Sequence, residues 1–193
     1  MNKDYLKKYI QTIFPMSNDK IELVSETFEL LILEKNDFLL LENKISKNTY
    51  FLESGFIRSY TFDKNGQEVT TNIFSAPIFV NDFLSFFKQQ TTTENYQAVT
   101  NCKLWQMSLE NVQKNFHSIP EFREFGRMML VMNYDNLHKR MLGMIKETAE
   151  TRYIKLIQQH NNIVKNIPLK MIASYLGITD TSLSRIRKEI TNK

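Results

Sequence analysis

A single cysteine, Cys102, stands among the 193 residues, so one chain can form neither a disulfide framework nor a cysteine-ligated iron–sulfur cluster. That thiol lies in Thr100-Asn101-Cys102-Lys103-Leu104-Trp105, a stretch with strand character where a buried, inert sulfur is expected. Histidine is scarce too: His117, His138 and His160 share no metal-ligand spacing, so neither a metal site nor a bound cofactor is expected. The five glycines never fall into a phosphate loop, and no Ser-His-Asp order with supporting turns appears, which argues against an enzyme. Long apolar runs are missing. Leu30-Leu31-Ile32-Leu33 is far short of the roughly 18 residues that cross a bilayer. The start, Met1-Asn2-Lys3-Asp4-Tyr5, has no apolar signal-peptide core. A cytoplasmic protein with no membrane partner is the expectation.

What is present is most telling near the C-terminus. After Asn166-Ile167-Pro168 come Leu169-Lys170-Met171-Ile172-Ala173-Ser174-Tyr175-Leu176, then Gly177-Ile178-Thr179, then Asp180-Thr181-Ser182-Leu183-Ser184-Arg185-Ile186-Arg187-Lys188. Ile172, Ala173 and Leu176 give a first helix one apolar face. Ala173 is small where a second helix crosses. Gly177 suits the positive φ of a helix C-cap, and Thr179 can cap the next helix. Leu183 and Ile186 pin that second helix to the first. Thr181, Ser182, Ser184, Arg185 and Lys188 are left on or near a polar face rich in donors, of a size to enter the major groove of DNA. Charge placement agrees: Lys165 to Lys193 carries the whole net charge of +4, and the rest of the chain sums to zero. A neutral body with a basic end matches a phosphate-backbone partner.

The rest divides into two further regions. Residues 1 to about 25 read as two short helices, interrupted at Pro15. From about Thr27 to Ser108 the period is two, with β-branched and aromatic runs such as Asn48–Leu52, Phe56–Phe62 and Glu68–Phe74, further strands around 37–41, 95–99 and 103–107, and an Asn65-Gly66 hairpin turn. From Leu109 onward the chain is helical, with Pro120 near the start of a long helix reaching about Lys146. Leu130, Tyr134, Leu137, Met141 and Met144 make a short heptad seam along it. Phe122, Phe125, Met129 and Met132 form a second stripe. One stripe is read as packing on the β region and the seam as meeting a second copy of the helix, with packing of both inside one chain as the alternative. The many short strands imply a sandwich, roll or barrel, whose aromatic residues fill its core or enclose a small apolar ligand.

This order resembles the cyclic-AMP receptor protein/fumarate-nitrate reduction regulator (Crp/Fnr) family of bacterial transcription factors. The residues that carry the likeness are Ile172 to Thr179 with Ser182 to Ile186, supported by Leu52-Glu53-Ser54-Gly55-Phe56-Ile57-Arg58 and Asn65-Gly66-Gln67-Glu68. The resemblance implies an α+β fold: an N-terminal antiparallel β-roll of the cyclic-nucleotide-binding jelly-roll type (1–110), a long dimerisation helix (111–146) and a C-terminal helix-turn-helix domain (147–193). It implies a homodimer on pseudo-palindromic double-stranded DNA, with RNA polymerase as a further partner. By position, Asp180, Thr181 and Arg185 would read bases. Ser182 and Ser184 would serve phosphate or packing, and Lys170 and Lys188 phosphate. Asp180 departs from the basic residue often found there, and the family's β wing after the second helix has no counterpart before Lys193. The effector region departs further. Asn81-Asp82-Phe83 stands where the family has Gly-Glu-Leu, Thr92-Thr93 where it has Arg-Ser or Arg-Thr, and no arginine lies between Arg58 and Arg123. Asp82, Thr92 and Thr93 are the candidate effector pocket, for an unidentified small molecule and not for cyclic AMP. A small-molecule sensor that signals through protein contacts, without reading DNA, is the competing function.

Overall fold

The computed structural model describes residues 2–191. Lys193, part of the basic end, lies outside the described residues. Two helices open the chain, α1 (Asp4–Ile13) and α2 (Asn18–Glu26). Eight strands follow: β1 (Glu29–Leu33), β2 (Phe38–Leu40), β3 (Asn48–Ser54), β4 (Phe56–Phe62), β5 (Glu68–Ser75), β6 (Ile78–Val80), β7 (Asn95–Ala98) and β8 (Cys102–Ser108), with a short helix α3 (Phe83–Lys88) between β6 and β7. The helical half comprises α4 (Leu109–Ser118), α5 (Pro120–Lys146), α6 (Ala149–Gln159), α7 (Asn161–Asn166), α8 (Leu169–Tyr175) and α9 (Asp180–Thr191).

The strands form two four-stranded antiparallel sheets, β1-β8-β3-β6 and β2-β7-β4-β5, the jelly-roll arrangement. Period two decides where each side chain goes. In β3, Tyr50 and Leu52 point between the sheets while Phe51 points outward; in β8, Leu104 points in while Trp105 and Met107 point out. Both faces of this first sheet are therefore buried. Its outer face lies under α1, α2, α4 and the first half of α5, where Leu6, Ile10, Val24 and Phe28 meet Phe51, Phe79 and Trp105. Phe125 of α5 packs edge-on to Phe79 at 5.5 Å. The expected α5 stripe thus divides: Phe122, Phe125 and Met129 are buried on the roll, whereas Met132 is exposed. The β4–β5 hairpin turns at Asp63–Gly66, where the Asp63 carboxylate accepts from the backbone N–H of Asn65 and Gln67 at 2.8 and 2.9 Å. Those bonds hold that carboxyl below the usual range.

A third cluster joins the two halves of the molecule. Ile73 of β5 and Val99, just past β7, share it with Tyr153, Leu156, Ile172, Leu176 and Leu183. The helix-turn-helix is docked on the roll, a contact no sequence pattern indicated. The pairing Ser59↔Asn72 followed by Tyr60↔Thr70 leaves Thr71 as the extra residue of a β-bulge. Its carbonyl accepts from Arg140 of α5. Arg140 also donates to the Tyr175 carbonyl at 3.2 Å and lies 4.3 Å from the centre of the Tyr175 ring. The Thr70 N–H donates to Ser174 Oγ at 2.8 Å. One arginine thus ties roll, long helix and helix-turn-helix together.

Candidate nucleic-acid interface and effector region

The turn between α8 and α9 has the geometry its residues foretold. Gly177 takes φ +71°. The Ile178 N–H donates to the Ala173 carbonyl and the Gly177 N–H to that of Ser174, both at 3.0 Å, the pair of bonds that closes a helix with a left-handed residue. Thr179 Oγ1 accepts from the Ser182 N–H at 3.2 Å, capping α9. Ile172, Ala173 and Leu183 are fully buried, and Leu176 nearly so. Arg152 braces the turn from α6, donating to the Leu176 carbonyl at 2.9 Å.

With those residues buried, the outward face of α9 follows from its helical period. Asp180, Thr181, Ser182, Ser184, Arg185, Arg187 and Lys188 are all exposed, as is Lys170 on α8. The hydroxyls of Thr181 and Ser182 both lie 2.9 Å from Thr179 Oγ1, which ties them into the cap. Arg185 and Lys188 have longer reach. Ser184, Arg187, Lys188 and Thr191 line a shallow hollow on the helix. Arg187, earlier a contributor to net charge only, belongs to this face; its spacing from Ser184 and Thr191 is the signal that identifies it.

The proposed seam on α5 is bare. Leu130, Tyr134, Leu137, Met141 and Met144 are each at least two-fifths exposed, with Tyr134 at 69% and Leu137 at 65%. Val131 and Ile145 add to the same uncovered length. Met144 has a second role: its side chain lies against Gly177, where an added Cβ would meet Met144 Cε at 2.5 Å.

The three expected effector residues differ in setting. Asp82 caps α3, its Oδ1 accepting from the Ser85 N–H at 2.9 Å. Thr92 is buried and bonded within its own turn, accepting from the Glu94 N–H at 3.1 Å, while Thr93 is exposed. Beside them the Tyr96 hydroxyl donates to Glu94 Oε2 at 3.1 Å. Burial, then the carboxylates of Glu94 and Asp82, push the Tyr96 hydroxyl far above its usual range. Arg58 is committed elsewhere: it pairs with Glu68 at 2.7 Å, bonds Gln97 at 2.9 Å and lies 4.1 Å from the centre of the Tyr60 ring. Among the described residues, no group of three or more His, Cys, Asp or Glu side chains is placed to hold a metal ion, and no helix is long and apolar enough to cross a membrane.

A jelly roll with a short helix between its sixth and seventh strands, followed by a long helix and a helix-turn-helix, defines a class. Residues 30–118 match the family described as Cyclic nucleotide-binding domain, and the chain as a whole has the fold of the Crp/Fnr regulators. It superposes on the c-di-GMP-responsive global regulator CLP of Xanthomonas campestris with a TM-score of 0.69 at 14% identity, covering 91% of this chain and 92% of that one. FixK2 of Bradyrhizobium japonicum gives a TM-score of 0.74 at 14% identity, covering 86% and 85%. The catabolite activator protein of Thermus thermophilus gives 0.57 at 15%, covering 92% and 84%. No curated protein sequence matches the chain.

Proposed function

We propose that this protein is a homodimeric, sequence-specific DNA-binding transcription regulator of the Crp/Fnr type, not an enzyme and not a cyclic-AMP receptor. The observation that carries the reading is the α8–Gly177–α9 turn, whose apolar residues are buried and whose second helix turns a polar, basic face outward. In this reading Arg185 makes a bidentate contact to guanine O6 and N7. Asp180 and Thr181 meet neighbouring bases, and Ser182, Ser184, Arg187, Lys188 and Lys170 hold phosphate. The exposed α5 stripe pairs with its copy, setting two recognition helices roughly 34 Å apart on a pseudo-palindromic operator. RNA polymerase is the further partner. Domain limits at about 110 and 146 belong to the same proposal; the first falls within the opening turn of α4 and the second at the end of α5.

The test is selection of bound sequences from a random duplex pool at two salt concentrations, without added ligand. Enrichment of a palindromic motif at the higher salt is expected. Arg185→Ala should relax base preference at one position of each half-site, by about 1–3 kcal/mol. Lys188→Ala should weaken all sequences alike and flatten the salt dependence by about one counterion. Equal losses on every sequence from both variants would refute the role given to Arg185. Binding without any motif would favour a sensor that signals through protein contacts.

A further inference from the structure

Where the outer face of the first sheet meets α3, α4 and α5, the aromatic packing is incomplete. A hollow remains there, with an inner cavity of about 40 Å³ and about 430 Å³ counted with its mouth. Phe79, Phe86, Phe116, Phe122 and Phe125 make its walls, and Met129 closes one side. It excludes Thr92 and Thr93, so it is separate from the pocket the sequence suggested.

Two features distinguish this hollow from a packing flaw. Asn81 lines it, and the Asn81 carboxamide oxygen is buried without a hydrogen-bond partner. An unpaired buried acceptor is unfavourable, a cost that a donor arriving with a ligand removes. Gly126 also lines the space, and a Cβ at that position would stand 2.6 Å from the Phe116 ring. The Phe116 ring can occupy this wall only because position 126 has no side chain.

We propose that this hollow binds a small aromatic molecule carrying one hydrogen-bond donor, of which phenol is the simplest. The ring would lie among the phenylalanines, where edge and face contacts favour another ring, and its hydroxyl would donate to Asn81 Oδ1. A benzene-sized guest needs a cavity of about 150 Å³, so one wall must give way, and α3 is the wall able to do so. It has six residues, held between the Asp82 cap and Gln89 in the left-handed conformation. Phe87, at the outer side of α3, is exposed and stacks on Phe83 at 6.2 Å and 6°. Outward movement of that pair enlarges the hollow without disturbing either sheet. The guest touches α5 at Phe125, Gly126 and Met129, directly before the exposed stripe begins at Leu130.

The experiment titrates the full-length protein, its methionine methyl groups ¹³C-labelled, with phenol and separately with toluene, which has the same ring and no donor. Phenol should shift the Met129 methyl resonance and bind about five-fold more tightly than toluene, the factor expected for one net hydrogen bond. Asn81→Leu should abolish that preference while leaving toluene binding intact. An unmoved Met129 resonance overturns the proposal. So do equal affinities in the parent protein, which would mean that only apolar filling takes place, and a preference that survives in Asn81→Leu. The parent's phenol-to-toluene ratio needs no variant, so a poorly folded substitution cannot obscure the answer. The readout needs no DNA, so it stands or falls apart from the regulator reading.

Discussion

Replacing Leu137 by alanine separates a dimer seam from an ordinary solvated helix face. Leu137 is 65% exposed and lies midway along a stripe running from Leu130 at 43% to Met144 at 43%. Full burial of a leucine side chain stabilises by about 1.5–3 kcal/mol, so covering the exposed part contributes about 1–2 kcal/mol per copy. A twofold interface presents each position twice, giving about 2–4 kcal/mol per dimer. The dimer dissociation constant should therefore rise about 30- to 1,000-fold at 1.4 kcal/mol per decade. Sedimentation velocity from nanomolar to 100-micromolar protein reads that change directly. Phe125→Ala is the contrasting variant: Phe125 is 4% exposed against the roll, so it should lower the unfolding midpoint, by about 3–5 kcal/mol of stability. Two results would refute the reasoning. One is a parent protein that stays monomeric throughout that range. The other is Leu137→Ala lowering stability with no change in the dissociation constant.

Two further variants probe the roll. Gly55→Ala, at φ +98°, would place a Cβ 2.5 Å from the Asn101 carbonyl oxygen and 2.7 Å from Cys102 Sγ. A loss above about 2 kcal/mol is expected, whereas Gly66→Ala, at φ +76° with nothing within 4 Å, should cost only the left-handed backbone, about 1–2 kcal/mol. Urea midpoints compare the two, and equal losses would mean that the close approach to Cys102 has no weight. Burial pushes the Cys102 thiol above its ordinary value of 9.0, so the folded chain favours the protonated form. Its stabilising share is present below pH 9.0 and is lost as pH rises through the raised value. A thiol reagent at pH 8 should therefore label native protein at the rate of local opening and urea-unfolded protein at once, and equal rates would contradict the burial.

The C-terminal reading was the most legible part of the chain because its signals are local. Gly177 and Thr179 set their own backbone and cap, and Ile172, Ala173 and Leu183 need only helical spacing to become one buried contact. The strands were legible for the same reason, since alternation and the Asn65-Gly66 turn are short-range. The effector region is less legible: Asp82 caps α3 and Thr92 bonds within its own turn, roles that a positional likeness does not display. The Phe-lined hollow draws on Phe28, Thr49 of β3, Phe79 of β6 and residues of α3, α4 and α5, a combination that no window of sequence contains. Arg187 reads in sequence as part of the basic end; its place on one face with Ser184 and Thr191 follows from helical spacing.

The docking of the helix-turn-helix on the roll is the step least available from sequence, because its partners are backbone atoms. Arg140 reads in sequence as one more solvated charge on a long helix. In the structure its guanidinium takes the carbonyl of Thr71, a residue out of register with β4, together with the carbonyl of Tyr175 on α8. A bulge shifts when strand pairing shifts, so any rearrangement of β4 and β5 alters the site that Arg140 grips. The same arginine sits on α5 between Leu137 and Met141 of the exposed stripe, and Met144 one turn later rests on Gly177. On the proposed reading, pairing of α5 with a second copy would load the helix that Arg140 and Met144 tie to the helix-turn-helix. The exposed stripe, the Thr71 bulge and the Gly177 turn meet within two turns of α5, so a dimer contact there would bear on the placement of α9.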